Sequence, residues 1–181
     1  MSRGPRVTPG DRDGLGLVNH ALGRLMSRAT RVREAHLFTT LGRHRWLYRA
    51  WLGWSGALLL AGRIPRRETE LVILRVADRC HSEYEWRHHE RLGRRAGLTV
   101  EEIARVREKG LPGWSAPDAA LLAATDQLLR TDDIDDAAWS MLRAHWDERH
   151  AIELCLLVGQ YRGLAATIRA LGVPPDERLG R

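Results

Sequence analysis

Hydrophobic positions recur along this chain at three- and four-residue steps, and that spacing predicts helices almost throughout. Over 15–26 the stripe is Leu15, Val18, Leu22 and Leu25, weakened by Gly14, Gly16 and Gly23, and a further helix is expected over 33–41. Over 45–61 Leu47, Trp51, Trp54 and Leu58 share one face, a pattern that more often marks a core or a subunit contact than a ligand box. Gly62 to Pro65 breaks the chain, and Pro65 suits a first helical position. The helix expected over 65–78 is apolar on nearly every side (Leu71, Val72, Ile73, Leu74, Val76, Ala77), so it is the buried central helix. Ser82-x-x-Glu85 and Thr99-x-x-Glu102 read as capping boxes opening two more helices, the first ended by Gly97. Ser115, Asp135 and Asp147 then introduce three helices, the last with a stripe of Ile152, Cys155, Leu156, Gly159, Leu164 and Ile168. No segment alternates with period two. The expected class is all-α, a compact helical bundle.

Length and composition refine this. The 181 residues suffice for one domain with a real core. The expected organisation is a flexible N-terminal leader over 1–14, a single all-α domain over 15–175 and a tail over 176–181. The charge of +6 comes almost wholly from arginine, with Lys109 the one lysine, and the arginines are scattered. That dispersal favours a solvated basic surface over a nucleic-acid site. Cys80 and Cys155 form no metal-type spacing, which fits a reducing compartment. The N-terminal residues have no apolar core of a secretory signal, and the stretch 51–61 is far too short for a bilayer, so no membrane partner and a cytoplasmic location are expected.

One acid interrupts the apolar central segment. Glu70 facing inward becomes, through desolvation, a candidate proton donor or acceptor near neutrality; the competing reading pairs it with a buried arginine such as Arg75. Glu85 and His89 stand i,i+4 on the next helix, as an acid–base pair requires, although Glu85 also suits the capping box with Ser82. Cys80 and His81 sit in the break before that helix, where N–H groups would activate a thiol. Cys155, on an apolar stripe, reads as a packed core cysteine. His81, His88 and His89 reproduce no zinc spacing, so no metal is expected.

With these residues in place, the stretch ETELVILRVADRCHSEYEWRHHERLGRRAGLTVEEI from Glu68 to Ile103 resembles the carboxymuconolactone decarboxylase family, which includes the alkylhydroperoxidase D proteins. The carrying pattern is Glu70, Tyr84-Glu85-Trp86, His89 and Ala96-Gly97-Leu98, echoed by AWLGWSGALLLAGRIPRRE before it and by GWS and LVGQYRGLAATIRALGV after it. The resemblance implies a compact all-α fold that assembles into homo-oligomers, commonly trimers or hexamers. In the peroxidase branch a glutamate is followed by CxxC and a histidine. Glu70 and His89 fall on the glutamate and histidine, while Ser82 and Glu85 stand where the two cysteines would be.

Disulfide cycling needs two thiols there, so dithiol peroxidase chemistry is not expected, and a one-cysteine reaction at Cys80 is the runner-up. The other branch is a cofactor-free lactone decarboxylase. It implies Glu70 and His89 in proton traffic, Tyr84 hydrogen-bonding a carbonyl oxygen, an arginine on the substrate anion, and Gln160 and Tyr161 on the pocket wall; Glu85 joins the expected catalytic residues, and Ser82 and His81 the expected substrate-binding ones. The leading expectation is acid–base chemistry without a cofactor, with decarboxylation first, on an anionic or carbonyl-bearing small molecule. A non-catalytic ligand-binding helical module is the rival from a different class.

Overall fold

The computed structural model describes residues 4–177. Among them lie nine helices and no strand: α1 (Arg12–Thr30), α2 (His36–Leu41), α3 (Arg45–Leu60), α4 (Arg66–Arg79), α5 (Glu83–Ala96), α6 (Val100–Arg105), α7 (Ala116–Thr131), α8 (Asp136–Arg143) and α9 (Glu148–Leu171). The all-α class expected from the periodicity is the class observed. The chain divides into two compact units, Met1–Gly56 with Thr167–Arg181, and Ala57–Ala166, the division falling inside α3 and α9.

In the first unit α1 packs on α2. The buried face of α1 is Leu15, Asn19, Gly23 and Ser27, while Val18 and Leu25 of the expected stripe are exposed. The reason is polar pairing: Asn19 donates to the Gly42 carbonyl, and the Ser27 hydroxyl accepts from the Ala35 N–H. Residues 1–3 of the expected loose leader lie outside the described residues; from residue 6 on it is tied down, the N–H groups of Arg6 and Val7 donating to the Leu171 carbonyl, that of Gly10 to the Thr39 carbonyl, and Asp11 capping α1. In the tail, the Asp176 carboxylate accepts from the His36 N–H.

In the second unit α4 packs against α5 and α7, α5 against α6, and α7 against α8. Every residue of α4 from Thr69 to Ala77 is buried. Leu71, Leu74 and Ala77 meet Trp86, Leu98, Ile103, Val106 and Leu122 in one cluster. Pro65 stands at the N-cap of α4, one position before the first helical residue. The loop entering α4 is held from α9, whose buried Glu153 accepts from the N–H groups of Arg63 and Ile64.

Of the caps the sequence predicts, those at Gly97, Thr99, Ser115 and Asp135 form and that at Ser82 does not. Thr99 and Glu102 form the reciprocal capping box, and Gly97 ends α5 at φ 106°. Ser82 is the N-cap of α5, but its side chain does not cap the helix.

The stripe assigned to α9 is corrected at its N-terminal half. Ile152, Cys155, Leu156 and Gly159 are exposed; the buried positions there are Ala151, Leu154, Leu157 and Val158, with Leu164 and Ile168 buried as expected. Cys155 is therefore a surface thiol, not a packed core cysteine. Among the described residues α9 alone is long and apolar enough to cross a membrane by length and composition, and 44% of its apolar window is buried inside the protein. On α3, Tyr48 and Leu58 are buried and Trp51 half-buried, while Leu47 and Trp54 face outward with Trp46 and Leu60.

Candidate functional site

The site is built where α4 crosses α5. Gly93 faces α4 there: a Cβ on it would stand in van der Waals contact with Leu74 Cδ1 at 3.5 Å and Glu70 Cβ at 3.7 Å, and 2.8 Å from Leu98 Cδ1, whose side chain would have to shift. With glycine there, Glu70 from α4 and His89 from α5 meet. Glu70 Oε2 lies 2.7 Å from His89 Nδ1, with Glu70 fully buried and His89 8% exposed. The other carboxylate oxygen, Oε1, has the Arg66 guanidinium against it as an ion pair, one helical turn away. That contact lacks hydrogen-bond alignment, so Oε1 remains without a hydrogen-bond partner. Arg66 is itself held by the Leu59 carbonyl at 2.9 Å.

The buried arginine considered as Glu70's partner is engaged elsewhere. Arg75 is fully buried and forms a two-bond fork with Asp126, Nε to Oδ1 at 2.8 Å and Nη2 to Oδ2 at 2.6 Å. Its third nitrogen donates to the Val106 carbonyl.

Tyr161, from the second-unit part of α9, completes the cluster. Its ring meets the His89 imidazole edge-on, centroids 5.0 Å apart and planes at 89°. Burial, reinforced by the negative charges of Glu70 and Glu85, holds its hydroxyl well above the ordinary phenol range. Tyr161 is thus a neutral donor at any physiological pH.

Glu85 is 2% exposed and neither of its oxygens has a hydrogen-bond partner. Burial drives its pKa up to about 7; the neighbouring Ser82 hydroxyl and the His89 ring pull the other way. Ser82 lies close enough to act on that carboxyl but is not aligned for a bond, and its buried hydroxyl is also unpartnered. The imidazole hydrogen-bonds to Glu70, from the neighbouring helix, and makes no such bond to Glu85, its i,i+4 neighbour.

The other expected residues are placed as follows. Tyr84 is half-buried and its ring lies 4.9 Å from that of His88, its i,i+4 neighbour, on the face adjoining that of Glu85 and His89. Gln160 is half-buried, next to Tyr161 along α9 and so a step of about 100° round the helix from it. Cys80 is half-buried and caps the C-terminal end of α4, its N–H donating to the Val76 carbonyl at 2.8 Å. His81 takes the left-handed conformation at φ 52°, and the N–H groups of His81 and Ser82 return to the carbonyls of Asp78 and Ala77. A non-glycine residue there carries a cost of about 1–2 kcal/mol. Among the described residues no group of three or more His, Cys, Asp or Glu is placed to hold a metal.

Three contributors escaped the sequence reading. Arg66 was signalled by its i,i+4 spacing to Glu70; Gly93 had no signal beyond an exception in a polar helix; Arg107, described below, had none.

Residues 47–128 match the carboxymuconolactone decarboxylase family. No curated protein matches the chain. Among solved structures, an uncharacterized peroxidase-related protein from Ralstonia eutropha JMP134 with an alkylhydroperoxidase AhpD core superposes with a TM-score of 0.82 at 15% identity, over 97% of this chain and 94% of its own. A putative antioxidant defence protein AhpD from Agrobacterium tumefaciens gives 0.67 at 17% identity, over 72% and 91%. The debrominase Bmp8, as a cysteine-to-alanine variant in complex with 2,3,4-tribromopyrrole, gives 0.77 at 16% identity, over 96% and 93%. Likeness at such identities is likeness of fold.

Proposed function

We propose, from the match of residues 47–128 to the carboxymuconolactone decarboxylase family, that this chain is a cofactor-free enzyme moving protons on an anionic or carbonyl-bearing small molecule, with decarboxylation as the reaction. The observation that carries this reading is the buried Glu70–His89 pair beside a second buried acid, Glu85, raised to about 7.

The chemistry follows from the proton positions. With its Nδ1–H donated to the Glu70 carboxylate, His89 keeps its Nε2 lone pair as a base. Glu85 is half protonated near neutrality, the condition in which an acid gives and takes a proton with least loss. Tyr161, held neutral, donates a hydrogen bond to oxygen that becomes negative. In decarboxylation the C–C bond to the carboxylate breaks, carbon dioxide leaves, and the electron pair moves onto the conjugated carbonyl as a dienolate. Protonation at carbon by Glu85 restores the carbonyl, and solvent returns a proton to Glu85.

Among similar folds, the debrominase Bmp8 in complex with 2,3,4-tribromopyrrole supports a small ring compound as the ligand class. The thiol alternative has less support here. Ser82 and Glu85 occupy the two cysteine positions, and Cys155 lies outside the motif. Self-association through α3 is part of the proposal, because Trp46, Leu47, Trp54 and Leu60 are all more than 40% exposed. So is a cytoplasmic location.

The test is carbon dioxide release from a panel of carboxylated unsaturated lactones. Glu70→Gln and His89→Ala should each lower turnover by roughly 10²–10⁴, while Cys80→Ser leaves it unchanged. Peroxide turnover that vanishes in Cys80→Ser would establish the thiol reaction instead. Activity and ligand binding that both survive the Glu70 and His89 variants would mark a binding module.

A further inference from the structure

A cavity of about 180 Å³ lies at the corner where α4 gives way to α5, lined by Asp78, His81, Ser82, Glu83, Trp86 and Arg107. Its size is below the range of drug-sized pockets, about 300–1,000 Å³, so an occupant must be a small molecule.

Two features at this cavity are unsatisfied in the same sense: the start of α5 with its N-cap hydroxyl, and one guanidinium. The start of α5 has no side-chain cap, and a helix N-terminus attracts negative charge. The Ser82 hydroxyl, in a residue only 6% exposed, has no hydrogen-bond partner. The Arg107 guanidinium lies 3.9 Å from the centre of the Trp86 ring and makes no ion pair among the described residues. A guanidinium held over an aromatic ring still has N–H groups to offer, and a pair of them matches the two oxygens of a carboxylate. The two acids in the lining do not cancel it. Asp78 is paired with Arg79 at 2.5 Å and Glu83 with Arg87 at 3.0 Å, which leaves Arg107 as the uncompensated charge.

We propose that this cavity binds the carboxylate of a small organic acid, with Arg107 as the clamp and the uncapped end of α5 facing the anion. The inference rests on the acid–base reading above and gives it a substrate seat. Ser82 lines the cavity and acts on the Glu85 carboxyl three residues along, so one side chain separates the bound acid from the buried proton donor. Arg107 then determines specificity for acids over their amides and esters.

The experiment titrates crotonate, neutral crotonamide and inorganic phosphate into the full chain, following the indole N–H resonance of Trp86 by ¹⁵N NMR. Crotonate should shift that resonance saturably and crotonamide should not. Arg107→Gln should weaken crotonate by about tenfold or more, and Arg107→Lys, which keeps charge but loses the fork, should recover only part of the loss. Crotonate binding unchanged in Arg107→Gln, or no shift at Trp86, overturns the site. Phosphate binding as tightly as crotonate overturns the carboxylate assignment. The two readings fail separately. Turnover that survives Glu70→Gln and His89→Ala while Arg107→Gln still loses crotonate removes the acid–base mechanism and leaves the anion seat standing. Turnover lost in those variants with crotonate indifferent to Arg107 does the reverse.

Discussion

Glu70 Oε2 and His89 Nδ1 stand 2.7 Å apart across two helices, with no solvent on the carboxylate. That contact assigns the imidazole proton to Nδ1. Long-range ¹⁵N spectra of the wild type should show the Nδ1–H form of His89, and Glu70→Gln should shift the population towards Nε2–H. A wild-type ring protonated at Nε2 alone would break the proton assignment on which the mechanism stands.

Glu85 makes stability depend on pH. Its ordinary pKa of 4.5 rises to about 7 in the fold. Below the ordinary value the group is protonated in both states and costs nothing. Between the two values the unfolded chain alone gives up the proton, so stability falls as pH rises. Above about 7 the cost is complete, on the order of 3 kcal/mol. Glu85→Gln should therefore be nearly neutral at pH 4 and stabilising at pH 8, by urea unfolding at both. Equal effects at the two pH values would mean that Glu85 is not desolvated.

Arg75 is fully buried and its charge is matched by Asp126 alone. Asp126→Asn should destabilise by about 3–5 kcal/mol, because an uncompensated guanidinium is left inside, whereas Arg75→Met should cost less. Denaturant midpoints of the two variants decide the order.

Gly62 has no room for a side chain. A Cβ there would lie 2.3 Å from a Glu153 carboxylate oxygen and 2.7 Å from the Leu58 carbonyl. Gly62→Ala should push Glu153 off the N–H groups of Arg63 and Ile64 and cost roughly 1–3 kcal/mol. Amide exchange at Ile64, measured by NMR, should accelerate with it.

The outward apolar residues of α3 give a test of assembly. Light scattering of the wild type should show an oligomer, and Trp54→Glu with Leu47→Glu should shift it towards monomer without loss of helix content by circular dichroism. A monodisperse wild-type monomer would end that proposal.

Much of this was legible in the residue order because it depends on local rules. Helical periodicity, Thr99 with Glu102, Gly97 at the end of α5, and the all-round apolar surface of α4 need only neighbours within a turn or two. Glu70 stood out for the same reason, as one carboxylate among Leu71, Val72 and Ile73. Which side of an amphipathic helix faces inward was less legible. Val18, Leu25, Ile152 and Leu156 lost their expected burial to Asn19, Ser27, Leu154 and Leu157, since hydrogen-bond partners and packing neighbours far along the chain choose the face.

The linear chain by itself determined that this protein is helical, that its central helix is buried, and that an acid and an imidazole nineteen positions apart are its unusual groups. Only the tertiary structure decided that Glu70 takes His89 while Arg75 takes Asp126, that Glu85 is left unbonded, and that Arg107 lies free over Trp86. Pairings of that kind are set by distance and desolvation in three dimensions, and helix spacing carries no information about either.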